Sequence, residues 1–425
     1  MWRRLTATAQ AATGGSRQGS KRTLAQAAMA VAAGGLVGAT AFAGLVAYEV
    51  GTRLYEERED LSGAVSLEEW MQLEAQGDVR AALRAVAARG LAQKARFQAW
   101  RFLLGVAPLG EAREVREVAE AQLMADLLVT RQVQARSSEA AASEARIIAL
   151  DATRTRDGTR AAALNVSEAR YAEMVDGDEG ETARHEAFSG VVERVLSAYA
   201  GSDAETGYCQ GMSDLLTPFL AAMPGDEASA LACFRAMMTE PPLLPAARDA
   251  FSRTGEGMRA MLARLDAVLE RADPTLHETL TRNGACPQCF FAFKMALVRC
   301  RRDFSVEDTC RLWECVWATD RLAAMDYDAQ RSNGGGEEPV DANGPPESLL
   351  VYVLAAAVVW RRGELLDAEG HDDVVRLFGD ASRREADDTL PQMPGLGALL
   401  RRARRLRARV EGPSDGELED GGESE

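Results

Sequence analysis

The sequence predicts an all-α protein, and two features support this prediction. Apolar residues recur with the period of a helix, most clearly from Phe188, which is followed by apolar residues at i+3, i+4, i+7, i+8 and i+11. Alternating β-branched and polar residues, which are typical of strands, are scarce. We therefore expect a helical domain with one large core.

The first 60 residues differ in character from the rest of the chain. Residues 1–26 contain Arg and Lys but no acid, and residues 27–48 form an uncharged apolar run. At ~1.5 Å per residue such a run is long enough to cross a bilayer of roughly 30 Å, although Ala and Gly dilute it. Three interpretations stay open: a membrane anchor, which we favour, a cleaved organellar presequence, or an Ala-rich helix docked on the domain.

Residues 61–410 are predicted to form the domain, with flexible insertions near 156–182 and 328–348, where Gly and charged residues accumulate. The 349–360 segment is apolar on most sides but too short for a membrane span, which predicts a buried core helix. Residues 411–425 are acidic and Gly-rich, which predicts a disordered tail.

Composition argues against nucleic-acid binding and for free thiols. Asp and Glu (65) outnumber Lys and Arg (49), and the net charge of −16 disfavours binding to nucleic acid. The seven cysteines are odd in number and lie mostly in apolar segments, which indicates free thiols in a reducing compartment.

The histidines give no sign of a metal site. None of the three lies near another or near a cysteine pair at the usual ligand spacing, so we expect no metal. We interpret the isolated Cys286-Pro-Gln-Cys289 as structural. The following aromatic residues Phe290, Phe291 and Phe293 are expected in the core.

Two polar segments are unlike ordinary amphipathic helix. In the first, Ile148, Asp151 and Arg154 follow one another at single helical turns, so Asp151 can reach the guanidinium or cap a turn. The second, residues 207–216, concentrates Gly, Tyr and Gln. Taken alone, Arg154 would be an ordinary solvated residue, and Asp214 would be a helix cap or the partner of a backbone amide.

The two segments resemble signature motifs of the TBC domain, the GTPase-activating module for Rab proteins. Residues 148–154 are similar to its IxxDxxR motif, and Tyr208 and Gln210 to its YxQ motif. The segments 99–105 and 311–314 are similar to further helices of the family, in the same order, so the resemblance extends over roughly residues 66–405. The 66–70 segment and the long spacing from Trp100 to Ile148 resemble the Gyp-like branch.

The resemblance implies a mechanism. Arg154 would be an arginine finger and Gln210 a glutamine finger, both supplied in trans to a GTP-bound Rab-family small GTPase. Asp151 would orient Arg154, and Tyr208 would set the loop that carries Gln210. GTP and Mg²⁺ would come with the partner, so the chain would need no cofactor of its own and would be a GTPase activator rather than an independent enzyme.

Two other functions stay open: a non-catalytic TBC scaffold that binds a GTPase or tethers a membrane, and a membrane structural protein that acts through its N-terminal helix. The resemblance also implies vesicle trafficking at the cytoplasmic side of an intracellular membrane. The positive-inside rule would instead place everything after Tyr48 across the membrane. Targeting to an organelle through the first 50 residues is the alternative.

Overall fold

A computed structural model describes residues 63–111, 114–155, 178–203, 205–239, 247–333, 346–378 and 394–411. Regular structure within these ranges is helical, apart from a parallel bridge between Val65 and Leu91. The predicted all-α class is therefore confirmed. The α-helices are α1 (Leu67–Gln76), α2 (Val79–Arg89), α3 (Gln93–Leu103), α4 (Glu114–Ser137), α5 (Glu139–Arg154), α6 (Asp178–Ser202), α7 (Met212–Ala222), α8 (Glu227–Thr239), α9 (Glu256–Ala272), α10 (Pro274–Arg282), α11 (Phe293–Leu297), α12 (Val306–Asn333), α13 (Leu349–Trp360), α14 (Arg362–Leu366), α15 (His371–Leu377) and α16 (Leu396–Glu411).

Side-chain caps explain where several helices begin. Ser66, Asp78 and Ser138 each accept a hydrogen bond from a backbone N–H in the first turn of α1, α2 and α5. Asp273 does the same for α10, where Pro274 occupies the first helical position. These residues fix the helix starts through the otherwise unpaired first-turn amides.

The core is built around helices that are apolar on more than one side. Helix α13 has the bounds of the predicted apolar segment, and every residue from Leu349 to Val359 is buried between α9, α12 and α16. Helix α12 packs along α2 and α7. The predicted core helix at 349–360 is confirmed.

A buried ionic network joins α3 to α12. The fully buried Arg96 guanidinium donates to Glu314 at 2.6 Å and pairs with Glu307, while the Trp100 indole N–H donates to Glu314 at 2.9 Å. Glu314 also accepts the Leu91 backbone N–H at 2.8 Å. Burial raises the pKa of Glu314, and the opposing charge of Arg96 lowers it. This network explains how the carboxylate of Glu314 is accommodated in the core.

The helices that carry the polar motifs form one packed group. Helices α4, α5 and α6 contact one another, and α6 also contacts α7. The apolar stripe that begins at Phe188 and ends at Tyr199 is buried along α6, as its spacing predicts. The group holds the C-terminus of α5 and the segment before α7 in fixed positions.

One aromatic prediction was wrong. Phe291 is buried and Phe293 is half-buried, but Phe290 is 56% exposed. Residues 290–292 form a short 3₁₀-helix, in which adjacent side chains point about 120° apart, so Phe290 points away from the face that buries Phe291.

Several sequence predictions lie outside the described residues: the apolar 27–48 segment, most of the two insertions (156–177 and 334–345), and residues 412–425 of the tail. At the edges of the insertions, residues 178–182 are helical in α6 and residues 328–333 are helical in α12. Among the described helices, none has the length and apolar character needed to cross a bilayer.

Candidate functional site

The first polar motif lies in the last two turns of α5. Ile148 and Asp151 are buried, whereas the Arg154 side chain is 71% exposed at the last residue of the helix. The Arg154 guanidinium is 3.8 Å from the Asp151 carboxylate. A cation at a helix C-terminus is favoured by the partial negative charge of the unpaired carbonyls. Arg154 is thus held near the domain surface with its guanidinium directed to solvent.

An apolar strip accompanies Arg154 on the outer face of α5. Ile147 and Leu150 are both about half exposed, and they precede Arg154 at the i, i+3, i+7 spacing of one helical face. Exposed large aliphatic residues next to an exposed Arg are typical of a protein-binding surface. The sequence motifs do not include these two residues, although their helical spacing could have indicated them.

The second motif meets the first through a buried hydrogen bond. The Tyr208 hydroxyl donates to the Asp151 carboxylate at 2.9 Å across 57 residues of sequence. Burial raises the pKa of Tyr208 well above its usual value, and the Asp151 charge raises it further. Tyr208 therefore remains protonated and acts as a donor, which links α5 to the segment before α7.

Gln210 lies in the exposed turn that precedes α7, two residues after Tyr208. Gly211 follows with a φ of +103°, a backbone conformation that side chains other than glycine rarely adopt. A Cβ at Gly211 would lie within 3.7 Å of the Leu297 and Val298 side chains, so this turn rests on α11 and the residue after it. The turn directs Gln210 outward while its neighbours are packed.

Glu144, which lies outside the two sequence motifs, also holds the segment at Tyr208. Its carboxylate accepts the Tyr208 backbone N–H at 2.6 Å and pairs with the buried guanidinium of Arg131. Glu144 lies seven residues before Asp151, two helical turns away on the same face of α5. Gly207 allows this contact, because a Cβ there would lie 2.1 Å from the Glu144 carboxylate.

Asp203 holds the start of the segment that leads to Tyr208. This carboxylate accepts from the Tyr199 hydroxyl at 3.2 Å and the Thr206 backbone N–H at 3.1 Å. Arg248 reaches both Asp203 at 2.9 Å and the Thr206 hydroxyl at 2.8 Å. The backbone that leads into Tyr208 is therefore held by buried or half-buried polar contacts.

Asp214 has a different role from the one predicted. The first turn of α7 follows Gly211, and the Asp214 carboxylate forms an ion pair with Arg302 at 2.7 Å. The two residues are 88 positions apart, so the sequence could not reveal the pair. The ion pair ties the α11–α12 connection to the helix that follows Gln210.

The structure thus links all four predicted site residues. Asp151 and Tyr208 are buried and bonded to each other, while Arg154 and Gln210 are exposed on the two segments that this bond joins. The exposed pair presents guanidinium and amide N–H donors, which suit an anionic group, together with one amide acceptor.

Possible metal ligands lie elsewhere in the described part of the chain. Asp266, His277 and Cys286 place their ligand atoms within 4.8 Å of one another, at the α9–α10 corner. Their linear spacing had given no sign of this group, because the turn between two helices brings them together.

The chain belongs to the Rab-GTPase-TBC domain family, whose profile matches residues 93–325. The matched region contains both polar motifs and the ionic network between α3 and α12. The predicted family is therefore confirmed.

Individual relatives agree with this assignment. The chain is 35% identical over 185 residues to Rab GTPase-activating protein 22 of Arabidopsis thaliana, which covers 43% of this chain and 31% of that protein. It is 33% identical over 125 residues to TBC1 domain family member 25 of Homo sapiens, covering 29% and 17%. The chain therefore spans about a third or less of the length of these curated relatives.

A solved structure has the same fold. The Ypt/Rab-GAP domain of Gyp1p superimposes with a TM-score of 0.52 at 13% identity, and the match covers 85% of this chain and 98% of that domain. At this identity the likeness establishes the helical fold alone.

Proposed function

We propose that this protein stimulates GTP hydrolysis by a GTP-bound Rab-family small GTPase, and that Arg154 and Gln210 act in trans on the nucleotide. The observation that carries the proposal is the exposure of these two side chains on segments joined by the buried bond between Tyr208 and Asp151. Membership of the TBC family and the names of the relatives support the choice of a Rab partner.

The chemistry of GTP hydrolysis requires what these residues offer. Charge spreads over the γ-phosphate oxygens in the transition state, and the attacking water must be oriented. The planar guanidinium of Arg154 can donate two N–H groups to those oxygens. The Gln210 amide can accept from the water with its carbonyl and donate to the phosphate with its NH₂ group.

The packed residues of the site serve positioning in this proposal. Asp151 sits between the Arg154 guanidinium and the Tyr208 hydroxyl, so a single carboxylate touches both segments. Glu144 then fixes the backbone at Tyr208, two residues before Gln210. Rigid donors lower the cost of reorganisation in the transition state, which is why such packing contributes to rate.

The apolar strip of Ile147 and Leu150 supplies contact area beside Arg154 in the proposed complex. Apolar groups at the centre of an interface exclude water and strengthen the nearby charge interactions.

We also propose that the 27–48 segment attaches the protein to an intracellular membrane with the domain on the cytoplasmic side, where it would act in vesicle trafficking.

Single-turnover GTP hydrolysis by a panel of GTP-loaded Rab proteins tests the proposal, with the full chain added as activator. The Arg154→Ala and Gln210→Ala variants are compared with wild type. Arg84→Ala, an exposed Arg on α2, and Gln98→Ala, an exposed Gln on α3, are the matched controls. An arginine finger contributes on the order of 10³ to 10⁵ in rate for GTPases in general.

Stimulation of one or more Rab proteins that collapses in both finger variants and persists in both controls would support the proposal. Arg154→Lys should recover little activity, because Lys keeps the charge but lacks the planar fork. GTP-dependent binding of a Rab without stimulation would contradict the activity and identify the protein as a scaffold.

A further inference from the structure

The α9–α10 corner holds a group of four side chains that the proposed activity does not use. Asp266 lies on α9, His277 on α10, and Cys286 and Cys289 in the loop that follows α10. The four come from three separate backbone segments within 24 residues of sequence. Their convergence therefore depends on the turn between the two helices.

The distances within the group are short. The two thiol sulfurs are 3.4 Å apart, and the His277 Nε2 is 2.9 Å from the Asp266 Oδ1. The Cys289 sulfur is 3.9 Å from the same Asp266 oxygen. The ligand atoms of Asp266, His277 and Cys286 all lie within 4.8 Å of one another.

These distances suit a tetrahedral metal ion. Zinc binds sulfur at about 2.3 Å and nitrogen or oxygen at about 2.0 to 2.2 Å, so the edges of its tetrahedron are roughly 3.3 to 3.8 Å. The distances from the Cys289 sulfur to the Cys286 sulfur and to the Asp266 oxygen differ from these edges by only a few tenths of an ångström. Asp266, His277 and Cys286 already place their donor atoms within 4.8 Å of one another, and Cys289 adjoins this group through Cys286 and Asp266.

Burial and ligand chemistry favour the same ion. Both cysteines are buried, while Pro287 and Gln288 between them are exposed, so the loop turns both sulfurs inward. His277 and Asp266 are mostly covered at the edge of the group. Two cysteines at C-x₂-C spacing with a histidine and a carboxylate form a donor set typical of Zn²⁺, whereas Mg²⁺ and Ca²⁺ prefer oxygen ligands alone.

We propose that Asp266, His277, Cys286 and Cys289 form a structural zinc site. With four protein ligands the site is closed, as in structural rather than catalytic zinc sites. The ion would join α9, α10 and the loop that leads to α11. Leu297 and Val298, at the end of α11, border Gly211, so the zinc site would also stabilise the support beneath the Gln210 turn.

The test is the zinc content of the full chain, purified through a tag that binds no metal and measured by atomic emission and native mass spectrometry. We expect about one zinc per wild-type chain and loss of most of it in Cys286→Ser and in His277→Gln. Cys315→Ser and His371→Gln, which alter the same residue types outside the group, are the matched controls and should keep the ion.

A spectroscopic readout covers the case in which a ligand variant fails to fold. Co²⁺ added to metal-stripped wild type should give the intense visible bands of a tetrahedral, thiolate-bound ion, and Zn²⁺ should displace it. Added Zn²⁺ should also raise the melting temperature of the stripped wild type, because a ligand that binds only the folded state stabilises it.

Three results would overturn the site. The first is wild-type chain that binds neither Zn²⁺ nor Co²⁺. The second is zinc content in the ligand variants that equals that of the controls. The third is a Cys286–Cys289 disulfide, found by mass mapping after alkylation of the freshly purified chain, which would make the pair redox-active instead.

Discussion

Gly207 offers the sharpest test of how the site is held. Its φ is +63°, and a Cβ placed there would lie 2.1 Å from the Glu144 carboxylate oxygen that accepts the Tyr208 N–H. In Gly207→Ala the carboxylate must therefore move, and the backbone amide of Tyr208 loses its acceptor. We expect the loop before Gln210 to loosen.

The cost has two parts that can be separated. Alanine at a positive φ costs about 1 to 2 kcal/mol, and a buried hydrogen bond to a charged group is worth about 1.5 to 3 kcal/mol. Gly207→Ala should therefore lower the free energy of unfolding by roughly 2.5 to 5 kcal/mol. Gly77→Ala is the matched control, because its φ is +66° and nothing lies within 4 Å of the new Cβ. It should lose about 1 to 2 kcal/mol.

A double-mutant cycle isolates the clash. In a Glu144→Ala background the carboxylate is gone, so Gly207→Ala should cost only about as much as Gly77→Ala. Urea unfolding followed by tryptophan fluorescence measures each leg, and unchanged m-values would show that the stability comparison is sound. Equal costs for Gly207→Ala in both backgrounds would refute the reasoning, as would equality of Gly207→Ala and Gly77→Ala in the wild-type background.

Three further predictions concern buried polar groups. Tyr208→Phe should lower the free energy of unfolding by about 1.5 to 3 kcal/mol and should also lower stimulated GTP hydrolysis. The control Tyr352→Phe removes a hydroxyl that donates to Glu411, outside the site, so it should affect stability alone. Unchanged hydrolysis in Tyr208→Phe would contradict the positioning role. Glu314→Ala should cost about 3 to 5 kcal/mol in urea unfolding, because it leaves buried Arg96 short of a carboxylate, and a loss under 1 kcal/mol would refute this. Burial raises the pKa of Asp320 to about 6, so the folded state binds this proton more tightly than the unfolded state and stability falls as pH rises through that value. Between pH 5 and 7.5 wild type should lose roughly 1 to 2 kcal/mol more than Asp320→Asn, and parallel pH profiles would exclude the shift.

Periodicity was sufficient for the elements but not for their contacts. The stripe along α6 and the apolar segment of α13 could be predicted because the spacing of apolar residues indicates whether one face or all faces of a helix are buried. Glu144 could have been found as well, since it shares the Asp151 face of α5. The ion pair between Asp214 and Arg302 could not, because nothing local links residues 88 positions apart.

The residues of the candidate site could be predicted only through the family resemblance. Arg154 and Gln210 are common residue types, and only the motifs singled them out. The positive φ at Gly207 and the clash it avoids are properties of the folded backbone, which periodicity does not report. His277 and Cys286 likewise needed the α9–α10 turn to meet, so a search for ligand spacing along the chain passed over them.

The division between exposed and buried site residues makes stability and activity separable. Arg154 is 71% exposed and its ion pair with Asp151 spans 3.8 Å, so Arg154→Ala should change the free energy of unfolding by no more than about 0.5 kcal/mol. Gln210→Ala should be similarly neutral. Asp151→Asn, in contrast, weakens a buried acceptor that serves Tyr208, so it should lower both stability and stimulated hydrolysis.

Plotting loss of stimulated hydrolysis against loss of stability for these variants tests that division. The finger variants should fall on the activity axis, and Asp151→Asn should fall between the axes. If Arg154→Ala were as destabilising as Asp151→Asn, its loss of activity could be explained by unfolding, and the assignment of Arg154 as a group acting on the nucleotide would lose its support. A stable, inactive Arg154→Ala would favour contact with the GTPase as the physical account of its effect, because within the part of the chain that the structure describes the exposed guanidinium forms only a long ion pair, 3.8 Å from Asp151.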